Sequence, residues 1–205
     1  MSQIALPLVA GAAMEPSRII VGPANAAVLE ACASAAGWPF RTAVLRGPPR
    51  SGKSLIARWF IASGAGEAID DADMMDETEL FHRWNRAQES ATLLLLVSST
   101  REGDWKASLP DLASRLGAAL HLAIGAPDDA MLGELIALHA EQRRLILGDD
   151  ATAYLVPRAE RSHMGVERLV ETIDRLSLER KAAPTLSIWR DALEIVMGAS
   201  QPRLI

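Results

Sequence analysis

Apolar residues recur at two different spacings along this chain, and the place where one spacing gives way to the other divides it. Leu80, Phe81, Trp84 and Ala87 fall on one helical face and predict a helix over 76–89. Leu93, Leu94, Leu95, Leu96 and Val97 form a continuous apolar run, the mark of a strand buried on both faces in a parallel sheet. Upstream, the pattern predicts an Ala- and Leu-rich helix over 24–36 ending at Gly37, a strand over 42–45 and helix formers over 53–62. Downstream it predicts a short helix over 109–116 and a strand over 118–124 that closes at Gly125-Ala126-Pro127. Beyond residue 128 only helical spacing remains, over 130–142, 149–158, 164–180 and 185–197, each segment bounded by Asp, Gly, Ser or Pro. No repeat of solenoid length is visible. The expected fold is α/β: a tail and linker over 1–13, a parallel-sheet core over 14–127 and a small all-helical lid over 128–205.

At 205 residues the chain holds such a core with one appended subdomain, but not two full domains. Its 49% apolar and 23% charged residues are those of an ordinary globular protein. A formal charge of −5 argues against a surface given over to nucleic acid, which needs a basic excess to neutralise phosphates. Cys32 is the single cysteine and can form no internal disulfide, as suits a reducing compartment. No apolar run approaches the roughly 20 residues that span a bilayer. The opening MSQIALPLVAGAAM lacks the basic start of a secretory signal, so a cytoplasmic location with no membrane contact is expected.

The chemistry concentrates at Gly47-Pro48-Pro49-Arg50-Ser51-Gly52-Lys53-Ser54, a full match to G-x-x-x-x-G-K-[ST] set between an expected strand and an expected helix. In such a loop, backbone N–H groups and the helix N-terminus cradle a phosphate, Lys53 bridges the β- and γ-phosphates of a nucleotide, and the Ser54 hydroxyl holds Mg²⁺. A metal held this way needs a second carboxylate at a neighbouring strand end. Asp70 is assigned to the Mg²⁺ shell and Asp71 to orienting the attacking water. The plainer reading of the pair is a solvated acidic turn that runs on through Asp73 and Asp76. Ser98, Ser99 and Thr100 end the apolar strand where ligands of α/β proteins sit, so Ser99 either watches the terminal phosphate or merely ends the strand.

The order of these features resembles the AAA+ core of the DnaA replication initiators, and more closely their short regulatory relatives of the Hda family. The resemblance runs through Ile20-Val21-Gly22-Pro23-Ala24-Asn25, the loop just described, Ile69-Asp70-Asp71, residues 80–87 and Leu109-Pro110-Asp111-Leu112-Ala113-Ser114-Arg115-Leu116. It implies that Val21 and Asn25 join the nucleotide site. It also implies that Arg115 is an arginine finger acting in trans, on nucleotide held by a partner; the plainer reading is a surface cation near a helix C-terminus. Gln3-Ile4-Ala5-Leu6-Pro7-Leu8 is similar to the peptide by which such proteins dock on the β sliding clamp of DNA polymerase III, with Gln3, Leu6 and Leu8 as anchors. No helix-turn-helix segment is expected beyond the lid, which would set the Hda-like reading apart from the initiators. The implied function is to bind adenine nucleotide and the clamp, contact ATP-bound DnaA and stimulate its hydrolysis, with DNA met mainly through the clamp and a homodimer among the open assembly states.

Two departures from the family pattern are expected to matter. Between the loop helix and Asp70 only residues 61–69 remain, so the sheet is expected to be one strand short. In the lid, Glu167 falls where the family carries an arginine and Arg168 comes one position later, about 100° around the helix, which makes Arg168 the candidate nucleotide contact. The chain's own hydrolysis is then expected to be weak, with a stable ADP-bound state. A small P-loop metabolite kinase and a helicase-loader-like adaptor are the alternatives, and clamp binding separates them from the first reading. The four histidines lack partners at metal-ligand spacing, and Trp59 and Trp84 read as core.

Overall fold

Thr42, Ala43, Val44 and Leu45 expose no surface, because their strand is flanked on both sides and covered on both faces. The computed structural model describes residues 4–5, 18–99 and 105–200, and these fall into two compact units that meet in sequence at Gly125 and Ala126. In the first unit, β1 (Ile4–Ala5) pairs antiparallel with β2 (Arg18–Ile19). The main sheet contains β3 (Thr42–Arg46), β4 (Gly66–Ile69), β5 (Leu93–Val97) and β6 (Leu120–Ala123), all parallel, in the order β4-β5-β3-β6. Ala43 lies opposite Leu95 on one side and Leu120 on the other, and Ile69 lies opposite Leu96.

Alternate side chains of this sheet feed two separate cores. On one face Ala43, Leu45, Leu95 and Val97 pack with α1 (Ala26–Ala33) and with Ile56, Ala57 and Phe60 of α2 (Lys53–Ala62). Trp38 stacks on Phe60 there with ring centroids 5.3 Å apart, and Cys32 is sealed in, its thiol pushed up to about 11 by burial. On the other face Val44, Leu94 and Leu96 meet Leu80, Trp84 and Ala87 of α3 (Glu77–Glu89) and Leu112 and Leu116 of α4 (Pro110–Ala118). Asp76 starts α3 by accepting from the backbone N–H of Thr78 and of Glu79, each at 3.0 Å, a cap worth about 1 kcal/mol.

The second unit is helical: α5 (Asp129–Gln142), α6 (Asp149–Leu155), α7 (His163–Arg180) and α8 (Leu186–Ser200). Asp128 caps α5 through the Met131 N–H at 2.8 Å, and Ser162 caps α7 through the Gly165 N–H at 2.9 Å. Its core gathers Leu132 and Ile136, Leu155, Val166, Val170 and Ile173, and Ala192. The exposed pairs Arg161–Asp129 and Arg180–Asp191 add little to that packing.

The expected α/β architecture is present with a sheet of four parallel strands, and one strand boundary differs. Ala118 ends α4 instead of starting the strand, which begins at Leu120. The short interval before Asp70 folds as β4, a strand of only four residues that forms one edge of the sheet. Gly66 permits it: a Cβ there would stand 2.3 Å from the Leu93 carbonyl oxygen, so only glycine brings the two backbones into register.

Candidate functional site

The glycine-rich loop grows from one of the two internal strands of the sheet. Arg46 ends β3 and Lys53 starts α2, so residues 47–52 turn the chain back over the carboxyl ends of the strands. A Cβ on Gly47 would come 2.9 Å from Ile124 Cβ and 3.0 Å from Ser51 Oγ, and nothing larger than hydrogen fits. Arg50 at φ 66° and Gly52 at φ 88° take the left-handed backbone that bends such a loop around an anion. Ser51 is buried, and its hydroxyl has no hydrogen-bond partner among the described residues.

Lys53 turns back onto the loop. Its ammonium donates to the carbonyl oxygens of Gly47 at 2.9 Å and Pro48 at 3.1 Å. Burial holds its pKa below the ordinary lysine range, and the charges of Asp70, Asp71 and Asp73 pull the other way. Ser54 is exposed in the first turn of α2. The loop therefore offers a helix N-terminus, an inward-turned backbone, a cation and a hydroxyl in one place, the set that fits a nucleotide polyphosphate with its metal.

Asp70 follows β4 directly and is exposed, and its carboxylate accepts from the Asp71 N–H at 3.2 Å. Asp71 sits in the left-handed region at φ 47°, which starts the turn that carries Asp73 back toward the sheet. Asp73 accepts from the Ser99 backbone N–H at 2.7 Å and from its hydroxyl at 2.8 Å. Burial raises its pKa, but these two bonds and one from the Ser98 hydroxyl outweigh that, and the carboxyl rests below its ordinary value. The sequence pattern marks Asp73 only as part of an acidic turn, and the structure ties it to the end of β5.

Val21 and Asn25 lie in the segment that enters α1. The Asn25 side chain is 3% exposed; it accepts from the Gly22 N–H at 3.0 Å and donates to the Ile20 carbonyl at 2.8 Å, so its amide shapes this segment. The Gly125 N–H donates to the Ala24 carbonyl at 2.9 Å, next to the Ile124 side chain that walls Gly47. The segment thus shares the loop's end of the sheet.

Arg115 lies on α4 with its guanidinium 4.2 Å above the Phe81 ring and hydrogen-bonded to Asn85. Arg168 is an exposed residue of α7, in the second unit. Gln3, Leu6 and Leu8 lie outside the described residues, as does Thr100. Among the described residues no group of acidic, His or Cys side chains could alone hold a metal ion, and no helix is long and apolar enough to cross a membrane.

No protein-family profile matches the chain. Among solved structures it is similar to domain III of the Thermotoga maritima replication initiation protein DnaA, with a TM-score of 0.68 and 14% identity over 88% of this chain and 94% of that one. It is similar to the replication initiator DnaA bound to AMPPCP and single-stranded DNA, at TM-score 0.59 and 16% identity over 80% of this chain and 66% of that one. A Thermotoga maritima RuvB variant matches at TM-score 0.58 and 18% identity over 84% of this chain and 68% of that one. At such identities the likeness is one of fold: a parallel sheet with surrounding helices, as in the AAA+ domains of DnaA and RuvB.

Proposed function

We propose that the chain is a DnaA-related AAA+ regulator that holds ADP or ATP with Mg²⁺, docks on the β sliding clamp and stimulates ATP hydrolysis by ATP-bound DnaA. The observation that carries the nucleotide half is Lys53, held on the carbonyl oxygens of its own loop beside the buried Ser51 hydroxyl and three carboxylates. DnaA structures of this fold were solved with AMPPCP, which supports an adenine nucleotide here.

In this reading the residue 47–52 backbone and Lys53 hold the phosphates, while Ser54 and Asp70 hold the ion. When bound, Mg²⁺ supplies charge neutralisation between the outer phosphates. Asp71 orients water, Ser99 faces the terminal phosphate, and Val21 and Asn25 complete the pocket. Gln3, Leu6 and Leu8 provide the clamp anchor, and Arg115 reaches the partner's nucleotide. For that last role Arg115 exchanges its stack on Phe81 and its bond to Asn85 for a phosphate, a trade a planar guanidinium makes readily.

The test is binding to immobilised β clamp by the parent and by a Gln3→Ala, Leu6→Ala, Leu8→Ala variant, followed by DnaA hydrolysis on clamp-loaded DNA. Binding lost in the variant together with stimulation by the parent is expected. A parent that binds ADP but neither the clamp nor DnaA overturns the regulatory reading and leaves a nucleotide-binding protein of another kind.

A further inference from the structure

The outer edge of β4 lies between two walls of opposite character. Among the described residues β4 pairs with β5 alone, so one row of its backbone N–H and C=O groups has no strand beside it. Ala68 packs with Ile56, Ala57 and Phe60 of α2, and Ile69 with Leu80, Trp84 and Ala87 of α3. The two helices therefore flank opposite faces of the sheet at this edge. A cavity of about 290 Å³ opens there, lined by Ile61 from the α2 side, by Gly66, Glu67 and Ala68, and by Arg83 and Arg86 from the α3 side. Ile61 is 50% exposed. Both arginines are exposed, and neither guanidinium has a hydrogen-bond or ion-pair partner among the described residues.

We propose that this edge docks an extended segment of a partner protein in which acidic and apolar residues alternate. A strand laid beside β4 completes the open backbone row, and its side chains then point alternately to the two faces of the sheet. One set meets Arg83 and Arg86, whose planar guanidiniums suit carboxylates; the other meets Ile61 and the apolar flank of α2. Arg83 and Arg86 stand three positions apart on the helix and so line the same side. Glu67 shares the face of Ile69 and adds one carboxylate to a lining with two cations, which leaves it net positive. A second copy of this chain would bring the same two guanidiniums to the same edge, and a free anion would leave the backbone row unpaired. Gly66, Glu67 and Ala68 lie toward the end of β4 opposite Asp70, so the proposal stands apart from the nucleotide reading.

The experiment is selection of random eight-residue displayed peptides on the full chain, with the enriched sequence then measured by fluorescence anisotropy and amide exchange. Enrichment of alternating acidic and apolar positions is expected, with at least tenfold weaker binding to an Arg83→Glu, Arg86→Glu variant and an intermediate loss for Arg83→Gln, Arg86→Gln. Exchange over residues 66–69 should slow in the complex, and ADP affinity should be unchanged in both variants. Circular dichroism and ADP binding confirm that the variants fold. No enrichment, enrichment of basic or purely apolar peptides, equal binding to the reversed variant, or protection elsewhere than β4 would each overturn the proposal.

Discussion

Asp73 holds Ser99 by both carboxylate oxygens, one taking the backbone N–H at 2.7 Å and the other the hydroxyl at 2.8 Å, across 26 residues of sequence. The acidic turn after β4 is thereby fixed to the end of β5, and Asp70, Asp71 and Ser99 keep a set relation to Lys53. Hydrogen bonds to a charged acceptor are worth about 1.5–3 kcal/mol each in protected sites and less where water competes. Asp73→Ala should lower stability by about 1–2 kcal/mol in urea unfolding and weaken nucleotide binding by altering the turn. The sign of the pH effect is set by the lowered pKa of Asp73. Its contribution is present in full above the unfolded value near about 4 and is lost as pH falls through the lower folded value. The stability gap between parent and variant should therefore close in acid; a gap that widened below pH 4 would show that the carboxylate is not the group responsible.

Lys53→Met tests the loop by removing the ammonium that donates to its Gly47 and Pro48 carbonyl oxygens. The parent should gain thermal stability with saturating Mg-ADP, by about 2.7 kcal/mol when ligand stands at about 100 times Kd, and the variant should gain nothing. Without ligand the variant should be at least as stable as the parent, because burial disfavours the lysine's charge. The same depressed pKa makes the parent's handicap disappear as pH rises through the folded value toward 10.5.

Three glycines of one protein offer a graded comparison. Gly66→Ala should be the most damaging, by about 2 kcal/mol or more, since its Cβ would meet a β5 carbonyl at 2.3 Å. Gly47→Ala should abolish nucleotide binding at a smaller cost in stability, because its Cβ would meet side-chain atoms at 2.9 and 3.0 Å where that of Gly66 meets a backbone oxygen at 2.3 Å. Gly117→Ala, in α4 with nothing within 4 Å, should stabilise by up to about 1 kcal/mol. Chemical denaturation of the three variants ranks them directly.

For Arg115→Ala the two possible roles separate cleanly. Losing the stack on Phe81 costs about 0.5–1 kcal/mol of stability. If Arg115 completes a partner's site, stimulated DnaA hydrolysis should fall by about 10³ while clamp binding and ADP binding persist. Stimulation equal to that of the parent would reduce Arg115 to a packing residue.

Most of the architecture could be read in the chain before folding was considered. Helices α3, α5 and α7 announce themselves through apolar spacing and capping Asp or Ser, α8 through apolar spacing, and β5 through its unbroken run of five apolar residues. β4 could not be seen in that way, because Gly66-Glu67-Ala68-Ile69 has neither alternation nor a run; pairing with β5 makes it a strand. Helix α1 begins at Ala26, two residues later than its composition suggests, because Asn25 spends its amide on the turn before it. Of the site, the loop was legible from glycine, lysine and serine spacing alone. The Asp73–Ser99 bond was not, since no local pattern joins residues 26 positions apart.

The placement of the loop on β3 has a dynamic consequence. β3 is paired on both sides, through Leu94 to Val97 of β5 and Leu120 to Ala123 of β6, and buried on both faces, so its amides belong to the slowest-exchanging part of the sheet. The loop thus rises from a foundation among the last parts of the sheet to open, and any exchange of the oxygen partners that the Lys53 ammonium holds takes place above it. In exchange experiments residues 42–46 should keep the same lifetime with the ligand present or withdrawn, making that strand a fixed internal clock against which every moving part of the molecule can be timed.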